Sequence, residues 1–243
     1  MSKRKALLFS LLTLSVHCSY AQIKPIVGFS IGLKQDAGPQ NETVHFTIDE
    51  FGTDVKNRYV SNTGTTGKFT GNIHGGALMD TPLDKLKVTA ELALYLPQSR
   101  SYKGEVWEAA LPDFNNFSYS YNVSSKGLMF ESRLMYLNSW WFPYVLVGAG
   151  PSWNRSYTYK ENPLNETAIS LRGNFPSHSN TTFAYEGGAG IGLIHNKFLV
   201  SFEYKYMALG KAQFGLYPFQ TINDQFSTRL KSNQFLINLN YLI

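Results

Sequence analysis

Cysteine is almost missing from this chain. There is one in 243 residues, Cys18, and it lies within a leader of the kind that exported proteins shed. Without it the mature chain has neither an internal disulfide nor a thiolate metal site. Long hydrophobic runs are missing too. Beyond residue 21 no apolar stretch approaches the roughly 20 residues a membrane helix needs. Any bilayer crossing therefore falls to strands, which in lipid must close into a barrel because no backbone group can go unpaired there. Excess charge disappears on processing. Removing Lys3, Arg4 and Lys5 takes Lys+Arg from 22 to 19 against 17 Asp+Glu, a net of +2 instead of +5. That leaves no basic surplus for nucleic acid.

The leader has three parts. Lys3, Arg4 and Lys5 form a positive start, residues 6–16 are apolar, and Ser19-Tyr20-Ala21 supplies small residues for a peptidase. Cleavage is expected before Gln22. Cys18 suggests a lipoprotein site, but His17 before it is too large for one. The division is thus a signal peptide at 1–21 and one domain at 22–243, a size suited to a single domain. An exported β-rich chain lacking cysteine fits a bacterial envelope better than eukaryotic secretion. Six Asn-x-Ser/Thr sequons, beginning at Asn41, follow from an Asn- and Ser-rich loop composition.

Within 22–243, alternation dominates. Val27, Phe29, Ile31 and Leu33 alternate with Gly28, Ser30, Gly32 and Lys34, the period-two signature of a strand with one apolar face. The clearest segment, 86–96, sets Leu86, Val88, Ala90, Leu92, Leu94 and Leu96 against Lys87, Thr89, Glu91, Ala93 and Tyr95. Six further segments fall at 69–79, 126–137, 143–153, 182–194, 198–208 and 234–243. Their connections alternate in length. Residues 36–68, 97–125, 154–181 and 209–233 are long and polar, whereas 80–85, 138–142 and 195–197 are short. This is the rhythm of an all-β, eight-stranded antiparallel transmembrane barrel with long extracellular loops and short periplasmic turns.

A soluble barrel of the lipocalin type would turn the apolar face inward. Three features favour lipid instead: long loops at one rim only, large aromatics near the stripe ends, and both signs of charge on the opposite face. A Lys or Arg facing lipid costs about 2–4 kcal/mol at the midplane. An inward network is therefore expected from Lys87, Glu91, Glu131, Arg133, Glu186, Glu203 and Lys205. An interfacial girdle is expected from Tyr136, Trp140, Trp141, Tyr144 and Tyr241.

Specific strands resemble a known family. Pro143-Tyr144-Val145-Leu146-Val147-Gly148-Ala149-Gly150 resembles a "PYvgaGaG" strand. Phe183-Ala184-Tyr185-Glu186-Gly187-Gly188-Ala189-Gly190 resembles the "faYqaGaG" strand after it, and Phe202-Glu203-Tyr204-Lys205-Tyr206 the next. These are motifs of the OmpA-like and opacity-protein-like outer-membrane barrel superfamily. The Gly150-Pro151-Ser152-Trp153 variant is similar to surface proteins of the Legionella and Coxiella kind. The resemblance implies a bacterial outer-membrane location, contact with outer-membrane lipid and lipopolysaccharide, and insertion by the barrel-assembly machinery. The family usually ends in an aromatic; here Tyr241 fits but Ile243 is last. No wall-binding domain is expected after Ile243.

Chemistry-bearing residues are sparse. Ser177-His178-Ser179 has residue types suited to nucleophilic catalysis, but it sits in a polar loop with no acid to orient it. His45 and His195 lie in loops or turns and His74 in a strand, without ligand spacing beside a carboxylate. No catalytic, metal or cofactor site is assigned. The external segments carry Phe114, Phe117, Tyr119, Tyr121, Tyr157, Tyr159, Phe214, Tyr217 and Phe219. They read equally as a recognition surface for host molecules or as packing that shields the mouth. Tyr119 and Tyr121 alternate with serine, so strands are expected to continue above the membrane. The expected role is structural and adhesin-like. A narrow porin is the alternative, and a lipid A-modifying enzyme a more distant one. A barrel of this kind should run at a different gel mobility before and after boiling; identical mobility of the detergent-folded protein would refute the architecture.

Overall fold

The computed structural model describes residues 22–38, 40–47, 54–164, 175–216 and 225–243. The leader read at 1–21 and the loop aromatics Tyr217 and Phe219 lie outside the described residues. Eight strands form a closed antiparallel ring: β1 (Ile23–Asp36), β4 (Thr66–Asp80), β5 (Leu86–Trp107), β6 (Asn115–Tyr136), β7 (Trp141–Pro163), β8 (His178–His195), β9 (Phe198–Gln213) and β10 (Ser227–Leu242). Each pairs with its sequence neighbour in the ring, β1 pairs with β10, and β5 joins both β4 and β6. A hairpin of β2 (Glu42–Thr47) and β3 (Asp54–Ser61) extends the sheet from β5 above the ring.

Alternation fixes which face meets lipid. On β1, Val27, Phe29, Ile31 and Leu33 are exposed, while Ser30 and Lys34 are buried. On β10, Phe235, Ile237 and Tyr241 point out and Gln234, Leu236, Asn238 and Asn240 point in. A ring with its greasy face outward has no edge and leaves no backbone donor to lipid. The short connections behave as tight turns. Asn196 takes a left-handed φ of 54° between β8 and β9, a conformation asparagine tolerates better than most residues.

The long connections differ from their sequence reading. Residues 97–125 are mostly strand, because β5 and β6 run 22 residues each. Two single 3-10 turns, Glu108–Ala110 and Pro112–Phe114, join them. β7 runs 23 residues to Pro163. The Ser-Tyr alternation at 118–121 continues the period of two above the membrane: the tyrosines extend the inward face of Glu131 and Arg133, and serines take the outward positions that lower down hold Phe130 and Leu134. The β2–β3 hairpin was not foreseen, since its alternation is short and polar.

Above the bilayer these extensions enclose an apolar cap. Val44, Tyr59, Tyr102, Val106, Phe117, Tyr119, Tyr121, Tyr159, Phe175, Phe214 and Phe226 are buried together. Tyr59 meets Tyr119 edge-on at 5.6 Å, and Tyr159 meets Phe175 at 4.8 Å and 89°. Phe226 stacks on Phe214 with centroids 5.6 Å apart. Such pairs contribute about 0.5–1.5 kcal/mol each beyond area burial. Burial pushes the Tyr102 hydroxyl up to about 12, and those of Tyr119, Tyr121 and Tyr159 further still.

Polar ties fasten the cap across the mouth. Glu42 on β2 accepts hydrogen bonds from the backbone N–H of Ser227 at 2.8 Å and from its hydroxyl at 3.1 Å, linking the hairpin to β10. Burial raises the Glu42 carboxyl although these donors favour its ionised form. Arg100 on β5 donates to the carbonyls of Ala37 and Gly64 at 2.9 and 2.8 Å. Phe226 contacts six other rings of the cap. Phe226→Ala should cost about 3–5 kcal/mol of local stability. Limited proteolysis should then cleave the external part faster while the heat-dependent gel shift persists; unchanged cleavage would refute the packed cap.

Candidate functional site

The lumen is the most elaborate polar environment in the molecule, and it is built in layers. At the periplasmic end Leu78, Met135, Phe142, Leu146 and Leu199 close the bore. This apolar layer was not anticipated, because β7 is apolar or small on both faces and its parity is hard to read. For the same reason Tyr144, expected in the interfacial girdle, turns inward with 4% exposure. The other girdle residues differ from it. Tyr136, Trp140 and Tyr241 are exposed, and Trp141 is half-buried.

Above that layer lies the charge network. Arg133 on β6 is its pivot. It donates to Glu91 on β5 at 2.5 Å and to Glu131 at 2.7 Å, and its Nε lies 3.5 Å from Glu203 on β9. Lys205 is fully buried and reaches Glu203 at 3.3 Å, Glu186 on β8 at 3.4 Å and Glu131 at 3.6 Å. Lysine also donates to the Tyr95 hydroxyl at 2.5 Å. That hydroxyl in turn lies 2.7 Å from Glu186 and 2.9 Å from Glu131. Six of the seven charges read from the sequence thus meet in one place. Lys87 does not join them. It pairs with Asp80 at 2.8 Å near the periplasmic rim, partly exposed. Its parity is lumenal, but parity does not set height along the barrel.

Several members carry no charge and escape a search for charged residues. The Tyr144 hydroxyl donates to Glu203 at 2.9 Å, and Asn238 donates to Tyr144 at 3.1 Å. His74 has Asn240 Oδ1 2.5 Å from Nε2 and Asn72 Oδ1 3.0 Å from Nδ1, with Glu91 3.6 Å away. The signal that could have found them is position: each sits on the inward parity of its strand. Glycine makes the room. A Cβ on Gly148 would stand 2.5 Å from Glu186 Oε1, and one on Gly190 would strike the Tyr144 ring. The inward face of β7 and β8 is bare where long side chains from neighbouring strands cross.

Chemically, this arrangement fills the bore with paired ions. Buried ions are tolerated only when paired and hydrogen-bonded, and here the partners come from β5, β6, β8 and β9 at once. An eight-stranded ring is just wide enough to be filled by its own side chains. Above the network Lys34 pairs with Asp36 at 3.0 Å, and Asp36 lies 3.7 Å from Arg100. The aromatic cap follows.

The candidate catalytic and metal residues do not converge. His178 opens β8 on the surface with Ser156 opposite it, and among the described residues no carboxylate hydrogen-bonds it. His195 ends β8 at the turn into β9, and His45 lies on β2. No group of three or more metal-binding side chains occurs among the described residues. The cap aromatics are placed differently from a recognition surface. Phe117, Tyr119, Tyr121, Tyr159 and Phe214 are buried, Tyr157 is half-buried, and Phe114 is exposed.

Comparison with known proteins gives one family. The family model for the outer membrane protein beta-barrel domain matches residues 6–241. Among curated proteins no sequence match is found. Similar solved structures include Neisserial surface protein A, 10% identical with a TM-score of 0.43, covering 92% of this chain and 99% of that one. Ail of Yersinia pestis, solved with the heparin analogue sucrose octasulfate, is 14% identical with a TM-score of 0.37, covering 90% of this chain and 99% of that one. The outer membrane protease OmpT of Escherichia coli is 11% identical with a TM-score of 0.41, covering 90% and 97%.

Arg133→Ala would leave Glu91 and Glu131 without their closest cation. It should cost about 3–5 kcal/mol, as expected when one partner of a buried ion pair is removed. Urea unfolding in detergent measures this; an unchanged midpoint would show that the network contributes nothing to stability.

Proposed function

Because this chain belongs to the outer membrane protein beta-barrel domain family, we propose that it is a non-conducting surface barrel that holds a rigid extracellular cap against external partners. The observation that carries this reading is the continuity of strand above the lipid belt. β5, β6 and β7 project well past their apolar stripes and bury an aromatic core there. A lipid-crossing strand needs only about 9–11 residues, so the projecting half serves something other than anchorage. Ordered ends also lower the entropic cost of binding, since little remains to be frozen on contact.

The porin alternative is opposed by the filled bore. Glu91, Glu131, Glu203 and Lys205 are at most 1% exposed, and the apolar layer beneath them excludes water as well as ions. Among the described residues no assembled constellation supports the enzyme alternative. Export by a leader cleaved near Ala21 and insertion by the barrel-assembly machinery belong to the same proposal. Host surface molecules are the expected class of partner.

Two measurements test the reading. The purified protein in planar bilayers should give no stepwise current, and regular conductance steps would overturn the sealed-lumen half. Cells displaying the protein should bind host cells more than cells displaying a form shortened at 98–125, with the barrel still folded by gel shift. Equal binding would overturn the surface half.

A further inference from the structure

The external wall of the barrel carries a hollow bordered by two cations that the filled lumen does not explain. It lies on β6, β7 and β8 just above the apolar belt. Register places Lys126 opposite Trp153, and Trp153 opposite Thr181 on the next strand. One step higher, Ser124 faces Arg155, and Arg155 faces Ser179. These six side chains occupy one face, as same-parity residues of paired strands must. They border a hollow of about 490 Å³ that no Asp or Glu lines. Lys126 and Arg155 are both exposed, and neither makes a salt bridge with any of the described residues.

The two cations are held in place by rings, not by counter-ions. The Lys126 ammonium lies 5.9 Å from the Trp153 ring centre, and the Arg155 guanidinium 5.5 Å from that of Tyr157. Such contacts position a cation while leaving its N–H donors free. Two diagonal cations on one sheet face repel unless an anion lies between them. Phosphate accepts from both at once, and charge-assisted bonds of this type are the strong ones. The flanking hydroxyls of Ser124, Ser179 and Thr181 add donors.

What lies below identifies the anion's carrier. Two residues down each strand the same face becomes Leu128, Pro151 and Phe183, and Phe183 is 71% exposed. The site thus sits where acyl chains end and headgroups begin, on the rim that bears the long connections. We propose that Lys126 and Arg155, with Trp153 between them, bind the phosphate of a phosphorylated glycolipid of the outer leaflet, its acyl chains lying over Leu128 and Phe183. This is a fixed lipid site and does not depend on whether the cap binds a partner.

The test uses the full folded chain in detergent micelles, reading the temperature at which half of the unboiled protein loses its folded gel mobility. Diphosphoryl lipid A should raise that midpoint in a dose-dependent way. Dephosphorylated lipid A and inorganic phosphate should not. Lys126→Gln and Arg155→Gln should each weaken apparent affinity about tenfold, the loss expected for one charge-assisted contact. Lys103→Gln, on β5 away from the hollow, should leave it unchanged. Reading the two single variants separately keeps the test open even if one of them folds poorly. Equal protection by dephosphorylated lipid, equal protection by inorganic phosphate, no protection by diphosphoryl lipid A, or full protection of both single variants would each overturn the proposal.

Discussion

Everything in this molecule depends on the closure of the hydrogen-bonded ring. In hydrocarbon an unpaired N–H or C=O costs several kcal/mol, so β1 must find β10 before the sheet is tolerable. Their register, from Ile26 with Leu242 to Asp36 with Ser232, is unbroken. Once the ring is closed, side-chain parity assigns every residue to lipid or to lumen. A one-residue slip would turn Ser30 and Lys34 to the acyl chains and Phe29 and Ile31 inward. The alternation therefore specifies register as well as fold.

Closure also sets the bore, and the bore dictates the network. Eight strands leave space for side chains and little more. Ions placed there cannot be hydrated, so they must solvate one another. Arg133 and Lys205 answer this by sharing Glu131 and Glu203 between them, tying β6 to β9 across the lumen. Tyr95 on β5 and Tyr144 on β7 supply further polar contacts to the carboxylates. The glycines of β7 and β8 belong to the same account: where Glu186 and Tyr144 cross the bore, the facing residue must have no side chain.

How much of this could be read from residues alone varied with the strength of the pattern. β1, β5, β9 and β10 alternate cleanly, and their lumenal members, including Glu91, Glu203 and Lys205, were legible. β7 alternates poorly because its inward residues include Phe142, Tyr144 and Leu146, as apolar as its outward ones. Composition then gives no parity, and Tyr144 was assigned to the girdle. Lys87 shows a second limit: period two reports the face, not the depth, and depth decides whether a lysine meets Glu91 or Asp80. The cap shows a third. Tyrosines alternating with serines suggest strand, but whether rings meet solvent or each other depends on the β2–β3 hairpin and on Phe175, Phe214 and Phe226, which arrive from distant connections.

The two ends of the barrel solve opposite problems. The periplasmic end is closed by short turns and an apolar layer, and among the described residues no strand projects beyond it. The outer end carries strands of nearly double the length that lipid requires, stiffened by rings and tied across the mouth by Glu42 and Arg100. Long loops tolerate disorder cheaply; a folded cap does not arise by default. Its rigidity also transmits position. Lys126 and Arg155 lie on the same β6 and β7 ladders that continue upward into the cap, so the proposed headgroup site at the rim and the cap above it belong to one sheet. Tilt or rotation of the barrel in the leaflet would then reorient the cap as a body. The proposed lipid contacts and the cap are joined through the β6–β7 ladder, whose register shifts between Ser120 and Asn122 on the way up.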